Sequence, residues 1–431
     1  MKRALWVLLL LAVRTPAQST FHANLARTGV FDSAGPKELR GVKWTFKTEG
    51  PVLSSPAISE GVIFFGSSDG KLYAVDQETG KEKWHFGTAQ PISSSPAVAD
   101  GLVYFTNYEA AVYAVDASTG KPKWRFAMEQ ERRFQAKGLH GTMPNDQTIP
   151  DPFDFLTSSP AVFNGRVYVG SGDGNVYAID AHTGVLIWKF PTGDIVHASP
   201  TIANNVVYIG SWDSYFYAID ADSGQEKWRY KAGEDPVIHN QVGFQSSAAV
   251  VEGIVYVGCR DGHLYAFDAA TGRKKWDYSA SQSWVNTTPA VRDGVVYAGT
   301  CDSHRFHAVD ARTGRLRYAL DAKGCIVSSP ALASDLAYFG TFNGALHAID
   351  LKSGKQSWEF RTDAAQKDEL KVLEADGSFT QNTFAPTFHD FEDMYLGVYR
   401  QFSVGAIISS PVVNKGVVYV GSTDGSLYAL E

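Results

Sequence analysis

The sequence predicts an all-β fold, an eight-bladed β-propeller with four antiparallel strands in each blade. One motif recurs along almost the whole chain at a spacing of about 40 residues, which is typical of propeller blades. Each copy holds four short runs of β-prone residues, separated by Gly, Asp or Asn at turns. The chain of 431 residues also contains 40 glycines and 13% aromatic residues, a composition that suits tight turns between packed sheets.

The repeat is clearest between Ser54 and Trp84, where a Ser-Ser-Pro opening leads through an Asp-Gly turn and a Thr-Gly turn to a closing tryptophan. We predict that the closing aromatic residue is structural, because a large ring fills the gap between neighbouring sheets. This docking position is occupied by Trp44, Trp84, Trp124, Trp188, Trp228, Trp276, Tyr318 and Trp358. Helical periodicity is not evident over a useful length after residue 17, so we expect no long helix in the fold.

The two ends of the chain are expected to close the ring of blades. The eighth copy of the repeat stops at Glu431, before its own closing tryptophan. The missing outer strand is found near the N-terminus, where the sequence around Trp44 matches that around Trp84. We therefore predict that the N-terminal strand joins the last blade, which leaves no open sheet edge between the termini.

The first 17 residues have the pattern of a secretory signal peptide, with basic residues, an apolar run from Ala4 to Val13 and then small residues. The run is too short to span a bilayer. Its removal takes away three basic residues and no acids, so the formal charge changes from −7 to −10. We therefore expect a periplasmic or secreted monomer with no transmembrane span after cleavage. The acidic balance argues against nucleic acid as a partner.

After the signal peptide, we assign residues 18–40 to an N-terminal lead-in and residues 41–431 to the propeller. The three cysteines, Cys259, Cys301 and Cys325, are too few for a disulfide framework. An exported chain with an odd number of cysteines keeps at least one thiol unpaired within the chain. Cys301 and Cys325 are the preferred pair if one forms, because we expect them at the ends of neighbouring strands in adjacent blades.

The motif Ala-x-Asp-x-x-Thr-Gly-x-x-x-Trp, as it stands from Ala74 to Trp84, resembles the tryptophan-docking repeat of quinoprotein alcohol dehydrogenases. The resemblance covers residues 41–431, and the lead-in from Phe21 to Gly29 also resembles that of exported members of this superfamily. One branch of the superfamily binds pyrroloquinoline quinone and calcium and oxidises alcohols or sugars. The other branch is similar to the propeller lipoprotein of the outer-membrane β-barrel assembly machinery, which acts by binding proteins and has no cofactor.

Departures from the first branch favour the second. Enzymes of the first branch carry two adjacent cysteines beside the quinone, and no two cysteines are adjacent here. Calcium requires hard oxygen ligands, and the two acids and the amide that surround it in those enzymes have no one-to-one match in this sequence. The chain also departs from the assembly lipoprotein, because no cysteine follows the apolar run and its inserts are longer.

Two inserts interrupt the repeat, at about residues 129–154 and 363–403. Both follow outer strands, so we expect both on the mouth face of the propeller, where the inner strands begin. The aromatic residues of the second insert, such as Phe379, Phe384 and Phe388, argue against disorder. We interpret the inserts as a rim or partial lid, used for protein contact or for simple capping.

Polar and aromatic departures from the repeat cluster on blades four to six. Convergent polar groups with exposed aromatic rings around a central mouth indicate a binding site; the alternative is a set of ordinary turn and channel-lining residues. The candidate ligand-binding residues are His197, Trp212, Asp213, His239, Gln245, Arg260, Trp284, Asn286, Asp302 and His304. We assign no catalytic residue and no metal ligand, since no zinc-binding motif is present.

The leading functional hypothesis is an exported, non-catalytic propeller that binds a protein or an envelope polymer through its mouth face, with no cofactor. The alternative is a small alcohol or sugar dehydrogenase that depends on pyrroloquinoline quinone and calcium, in which the quinone carries the redox chemistry. A third hypothesis is the binding of a carbohydrate or another small ligand at Trp212 and Trp284.

Overall fold

The computed structural model describes residues 19–383 and 390–431. The predicted signal peptide and two aromatic residues of the second insert, Phe384 and Phe388, lie outside these described residues. Within them, no helix is long and apolar enough to cross a membrane.

The predicted eight-bladed propeller is confirmed, because the strands form eight antiparallel blades in sequence order around a ring. The lead-in contributes β1 (Val30–Phe31), and β2 (Val42–Lys47) belongs to the last blade. Blades one to four contain β3 (Ala57–Ser59), β4 (Val62–Gly66), β5 (Lys71–Asp76), β6 (Glu82–Gly87), β7 (Ala97–Ala99), β8 (Leu102–Asn107), β9 (Ala111–Asp116), β10 (Pro122–Ala127), the insert strands β11 (Gln135–Lys137) and β12 (Thr148–Pro150), β13 (Ala161–Phe163), β14 (Arg166–Gly170), β15 (Asn175–Asp180), β16 (Leu186–Pro191), β17 (Thr201–Ala203), β18 (Val206–Gly210), β19 (Tyr215–Asp220) and β20 (Glu226–Lys231).

The second half of the ring repeats the same order. Blades five to eight contain β21 (Ala248–Val251), β22 (Ile254–Gly258), β23 (His263–Asp268), β24 (Lys274–Ser279), β25 (Ala290–Arg292), β26 (Val295–Gly299), β27 (Arg305–Asp310), β28 (Leu316–Asp321), β29 (Ala331–Ala333), β30 (Leu336–Gly340), β31 (Ala345–Asp350), β32 (Gln356–Arg361), β33 (Val412–Asn414), β34 (Val417–Gly421) and β35 (Ser426–Leu430). The helices are α1 (Asp363–Lys367), α2 (Phe391–Ser403) and two short 3-10 turns, Leu139–Gly141 and Gln381–Thr383.

The ring closes as the sequence predicts, because β2 pairs with β35 and completes the last blade from the other end of the chain. A second set of contacts surrounds the channel, where a serine at the start of an inner strand accepts a backbone N–H from the preceding blade. Seven such bonds of 2.8 to 3.0 Å are present among the described residues, and they are accepted by Ser95, Ser159, Ser199, Ser247, Ser329, Ser410 and Ser55. The last of them joins blade eight to blade one, so the ring is closed at the channel as well as at its periphery.

Six docking tryptophans hold neighbouring blades together by two contacts each, whereas Trp358 donates to the carbonyl oxygen of Pro36 in the lead-in. The indole Nε1 of Trp188, for example, donates a hydrogen bond of 3.0 Å to the carbonyl oxygen of Ala221 in the next blade. The face of the same ring lies against Gly224, where a Cβ would come within 2.7 Å of the indole and where φ is +71°. Only glycine tolerates both conditions, which explains the Thr/Ser-Gly turn of the repeat. The interpretation of these aromatic residues as structural fits this geometry.

The lead-in closes the end of the channel away from the mouth. Five inner strands donate backbone N–H groups to it, through Val98, Ile202, Val250, Val291 and Leu332. Arg27 is fully buried there, and its Nε donates to the carbonyl oxygen of Pro200 at 2.8 Å. Burial lowers the pKa of Arg27 to about 9. The lead-in therefore acts as a plug that ties the inner strands of several blades together.

The expectation that no long helix would occur is wrong for α2, which contains 13 residues within the second insert. Its buried side chains, including Met394 and Gln401, recur at helical spacing. Leu396 and Tyr399 on the opposite face are exposed apolar residues. Comparison between blades does not reveal the helix, because it lies in an insert that has no counterpart in the repeat.

Candidate functional site

The mouth face is the end of the propeller at which the inner strands begin and the Asp-Gly turns lie. Both inserts leave the propeller here, because insert one (residues 129–154) follows β10 and insert two (residues 363–403) follows β32. Below the mouth, serine and threonine side chains surround a channel of about 60 Å³, which is also lined by Phe21 of the lead-in and by His197. The channel thus lies between the lead-in at one end and the mouth residues at the other.

The centre of the mouth is built around Arg260, whose side chain is fully buried. Its guanidinium lies between two indole rings, with Cζ 4.6 Å from the ring centroid of Trp212 and 3.8 Å from that of Trp284. Its Nη1 donates to the Oδ2 atom of Asp151 at 2.7 Å. Cation–π contacts of this kind contribute about 2 kcal/mol or more when water is excluded. The two rings and the carboxylate together stabilise the positive charge of Arg260, which would otherwise be costly to bury.

Asp151 belongs to insert one and contacts both Arg260 and His140. Besides Arg260, the Nε2 atom of His140 lies 3.3 Å from its Oδ1 atom. Burial alone would favour the neutral acid, but the charges of Arg260 and His140 hold the pKa of the Asp151 carboxyl well below its usual value. Asp151 is therefore ionised at any physiological pH, and its charge balances that of Arg260.

A second buried ion cluster surrounds His197 at the top of the channel. Its Nδ1 atom lies 2.6 Å from Asp154 Oδ1, and its Nε2 atom lies 2.6 Å from Glu131 Oε1. Burial disfavours a charge on the imidazole, but the two carboxylates outweigh it and raise the pKa of His197 to about 10. The histidine is therefore a cation at neutral pH, held between two acids of insert one.

The two clusters share one arrangement, in which the propeller supplies the buried cations and insert one supplies the acids. The insert also adds an aromatic contact, because Phe134 stacks on Trp212 with ring centroids 4.6 Å apart and an interplanar angle of 12°. Insert one is consequently anchored over the centre of the mouth by charge and by stacking. It occupies the space in which the sequence indicated an open binding site.

This arrangement corrects the expectation that aromatic rings are exposed at the mouth. Trp212 is 1% exposed and Trp284 is 3% exposed. The physical reason is that each ring has a partner on its face, the Arg260 guanidinium for both and the Phe134 ring for Trp212. Neither tryptophan is a free platform on the surface.

The remaining candidate residues separate into four groups. Asp213 belongs to the scaffold, because its Oδ2 accepts from the Tyr217 hydroxyl at 2.7 Å, as Asp69 does from Tyr73 in blade one. Gln245 and Asn286 line the channel. His239 lies in a surface cleft beside Trp212, whereas Asp302 and His304 lie at a separate cavity beside Trp284.

That cavity, which we call the side pocket, has a volume of about 410 Å³ and lies next to the centre of the mouth. It is enclosed by insert one, the loop between blades four and five, the turn of blade six and helix α2. The side chains that line it are His140, Phe153, Ile238, Asn240, Trp284, Cys301, Asp302, His304, Cys325, Met394 and Gln401.

Cys301 and Cys325 form a disulfide in the wall of the side pocket, as the sequence favoured. The bond joins the turn of blade six to the segment that leads into blade seven, so it links adjacent blades next to the pocket. The third cysteine, Cys259, is a buried free thiol. Burial raises its pKa well above the usual value, which makes it unreactive at neutral pH.

Sequence reasoning missed the residues that fill the mouth. In the sequence, Glu131, Asp151 and Asp154 stand out only as members of an insert, and Gln401 belongs to the unexpected helix α2. No repeat marks these positions, so comparison between blades could not find them. One signal in the sequence could have indicated these contacts. Insert one carries three acids, and it is expected on the same face as His197 and Arg260.

The cofactor pair implied by the family resemblance can be tested against these donors. Calcium needs several oxygen ligands that are free to coordinate it. Asp151 is held by Arg260 and His140, while Glu131 and Asp154 are held by His197. Across residues 19–383 and 390–431, no cluster of three or more His, Cys, Asp or Glu side chains has the arrangement of a metal site. The mouth residues therefore do not fit a calcium-bound quinone.

The closed ring, the repeated docking aromatics and the capped mouth define a propeller of the pyrroloquinoline-quinone-repeat class. A family model described as "Outer membrane protein assembly factor BamB" matches residues 37–143, 109–282 and 239–390. The chain belongs to this family.

Two of the individual relatives are alcohol dehydrogenases of the quinone type. The chain is 41% identical over 86 residues to the dehydrogenase subunit of an alcohol dehydrogenase (quinone) from Gluconacetobacter polyoxogenes, which covers 17% of this chain and 12% of that protein. It is 32% identical over 102 residues to a quinohemoprotein alcohol dehydrogenase from Comamonas testosteroni, which covers 21% of this chain and 14% of that protein. The chain thus spans only a small part of the length of these relatives.

Solved structures share the fold over nearly the whole chain. BamB from Moraxella catarrhalis superposes with a TM-score of 0.64 at 15% identity and covers 91% of this chain and 97% of its own. A europium-containing methanol dehydrogenase gives a TM-score of 0.67 at 16% identity, with coverage of 97% and 98%. Because BamB and a methanol dehydrogenase match with similar TM-scores at low identity, these likenesses establish the fold and not the activity.

Proposed function

We propose that this protein is an exported, non-catalytic binding module that contacts a protein partner in the cell envelope through the rim of its mouth face. One observation carries the proposal: the centre of the mouth is filled by insert one, while the loops around it expose large apolar side chains. A filled centre with an apolar rim suits a broad protein contact better than a deep substrate site.

The rim is formed by both inserts and by the loop between blades four and five. Its exposed apolar side chains are Met143, Val237, Ile238, Leu370, Leu396 and Tyr399. Val237 is 78% exposed and Tyr399 is 63% exposed, values that leave most of each side chain in contact with water. Burying such side chains against a partner contributes about 25 cal/mol per Å² of apolar area. The rim can therefore supply binding energy without any movement of the propeller.

Two further properties support an envelope setting. The predicted signal peptide implies export, and the family model is named for assembly of outer-membrane proteins. The predicted net charge of −10 after cleavage favours a partner surface that is neutral or basic, and it disfavours nucleic acid.

The test compares a rim variant with a matched control in an envelope extract. The rim variant replaces Ile238 and Leu396 by serine, and the control replaces Val42 and Leu316, which are exposed on outer strands away from the mouth. A photo-crosslinking residue at Tyr399 should capture one dominant protein, and capture should fall by at least about tenfold in the rim variant but not in the control. Equal capture by both variants would refute a rim contact.

The dehydrogenase alternative is tested by adding pyrroloquinoline quinone and calcium to the purified protein. Calorimetry should show no heat of quinone binding, and dye-linked assays with alcohols and sugars should show no turnover. Tight quinone binding with turnover would replace the binding-module proposal by an enzyme of the quinoprotein type. Heat without turnover would also contradict the expected absence of a cofactor.

A further inference from the structure

The channel of the propeller is a small cavity whose wall contains a ring of hydroxyl groups. Its volume of about 60 Å³ is far below the range of about 300–1,000 Å³ that is usual for organic ligands, but it is large enough for several particles of the size of water. No rim residue of the proposed function lines it, so the channel is a separate site. The ring takes one residue from each blade, namely Ser55, Ser95, Ser159, Ser199, Ser247, Thr288, Ser329 and Ser410.

The hydroxyl groups of this ring donate to no residue in the part of the chain that the structure describes. The seven serine oxygens accept a backbone N–H from the preceding blade, which leaves each O–H group free to turn towards the channel. The adjacent serines of the repeat differ, because Ser94 Oγ donates to the carbonyl oxygen of Thr106 and Ser246 Oγ to that of Thr287, both at 2.8 Å. The ring residues are 2% to 6% exposed, and this small remaining surface lines the channel.

Asn286 adds a further polar group to the same cavity. It stands just above the ring, lines the channel and is 9% exposed. Its amide makes no hydrogen bond with the described residues, and its Oδ1 atom is unpaired. Leaving buried donors without acceptors is costly, and native proteins leave few of them. The excess of donors around the channel therefore indicates a ligand that accepts hydrogen bonds.

Cationic side chains lie near both ends of the channel, and no described Asp or Glu lines it. His197 lines the upper end, whereas its two carboxylate partners belong to insert one and lie behind it. At the other end, the Cζ atom of Arg27 lies 4.9 Å from the ring centroid of Phe21, which lines the channel. The Arg27 guanidinium donates to the neutral backbone carbonyls of Pro200 and Phe21. A small site with this surrounding charge favours an anion.

Water by itself does not correct the excess of donors. Each water molecule accepts hydrogen bonds but also brings two O–H donors of its own, and the wall above the ring offers them few acceptors. Leu53, Val327 and Ile408 are apolar there, and the hydroxyl groups of Ser93 and Thr157 already bond to each other at 3.2 Å. A monatomic anion accepts from several donors at once and adds none.

We propose that the channel binds one chloride ion, held by hydroxyl groups of the ring, with water in the remaining volume. The ion provides a negative charge between Arg27 and His197, and it contacts hydroxyl groups that belong to different blades. Because the lead-in closes one end of the channel and the mouth residues close the other, the ion exchanges with solvent only when one end opens. Chloride is therefore a structural ligand of the closed ring, and it stabilises the folded chain more strongly as its concentration rises.

The first test is anomalous diffraction from crystals of the mature protein, residues 18–431. Crystals grown in sodium bromide are measured at the bromine absorption edge, and crystals grown in sodium chloride are measured at a long wavelength at which chlorine scatters. We expect one anomalous peak inside the hydroxyl ring in both. The absence of a peak in the channel from either halide would overturn the proposal. A peak in the ring from crystals grown in rubidium gluconate would also overturn it, because the site would then hold a cation.

The second test follows the melting temperature as chloride replaces gluconate at constant ionic strength, since gluconate is too large for the channel. We expect a rise of at least about 2 °C between zero and about 0.5 M chloride. Thr288→Val removes a ring hydroxyl that has no hydrogen bond with a described residue, so the melting temperature in gluconate should not fall. Its apparent affinity for chloride should weaken by at least about threefold.

A double variant and a matched control separate the ring from general effects of salt. Ser55→Ala with Ser247→Ala removes two hydroxyl groups from opposite blades, and it should weaken chloride binding by at least about tenfold. The control, Ser54→Ala with Ser246→Ala, changes the same blades at side chains that do not line the channel, and it should keep the affinity of the wild type. If chloride stabilises Thr288→Val, the double variant and the control equally, the effect is not due to the ring and the proposal is wrong. An equal loss in the double variant and the control would also refute it.

Discussion

Removal of the Asp151 carboxylate should release insert one from the mouth of the propeller. Asp151 and Arg260 are both fully buried, and their bond of 2.7 Å is the main polar contact of the guanidinium. Asp151→Ala leaves the Arg260 charge in the mouth with unpaired Nε and Nη2 atoms as well. Breaking a buried pair in this way costs about 3–5 kcal/mol, because the charge that remains cannot reach water.

The assay is urea unfolding followed by tryptophan fluorescence, combined with hydrogen exchange of the peptides of insert one. The matched control is Asp222→Ala, since Asp222 pairs with Arg166 at 3.0 Å on the surface and its side chain is 59% exposed. The control should cost no more than about 1 kcal/mol. We expect exchange to increase in insert one for Asp151→Ala and to stay unchanged for the control.

A double variant separates the charge effect from the loss of packing. Asp151→Leu combined with Arg260→Met replaces the pair by apolar side chains of similar size, and it should recover most of the lost stability. If Asp151→Ala and Asp222→Ala are equally mild, the ion pair does not hold the insert and the reasoning fails. If the double variant is as unstable as Asp151→Ala, packing rather than charge is responsible.

Four further predictions follow from the same contacts. His197 has its pKa raised to about 10, so its stabilising contribution is complete below about pH 6.5 and is lost as the pH rises towards 10. Urea unfolding between pH 7 and 9.5 should therefore show a fall of up to about 1.4 kcal/mol per pH unit that is absent in His197→Gln. Trp188→Ala should lower the free energy of unfolding by about 3–5 kcal/mol, whereas Trp188→Phe should lower it by less. Equal decreases in the two variants would show that packing of the ring between blades does not stabilise the fold. Reduction of the Cys301–Cys325 bond, which closes 24 residues, should destabilise the protein by about 3 kcal/mol, as measured by melting with and without reductant. Residues 185–187 are apolar and exposed on an outer edge strand, so replacing them by the Lys-Glu-Lys of blade one should reduce self-association in light scattering without changing the melting temperature.

The sequence by itself determined the propeller, because each blade is specified by local signals. The turn glycines, the alternating strands and the docking tryptophans recur with one spacing, and each contact they make lies within a blade or between neighbouring blades. Ring closure followed from the same repeat, since β2 carries the outer-strand pattern that the last copy lacks. Even the Cys301–Cys325 pair could be favoured from blade positions alone.

Only the tertiary structure decided what lies at the mouth. Asp151 and Arg260 are 109 residues apart, and insert one has no counterpart in other blades from which its path could be inferred. In the sequence, a charged residue that will be buried looks like any other polar residue. His197 and Arg260 could therefore be named as candidates, but the acids that pair with them could not. The same limit applies to the side pocket, whose walls meet because two unrelated inserts fold over one face. The contacts of the repeat are encoded by residues close together in the sequence. The contacts between the inserts and the propeller join residues that are far apart in the sequence, so they depend on the path of each insert in the folded chain.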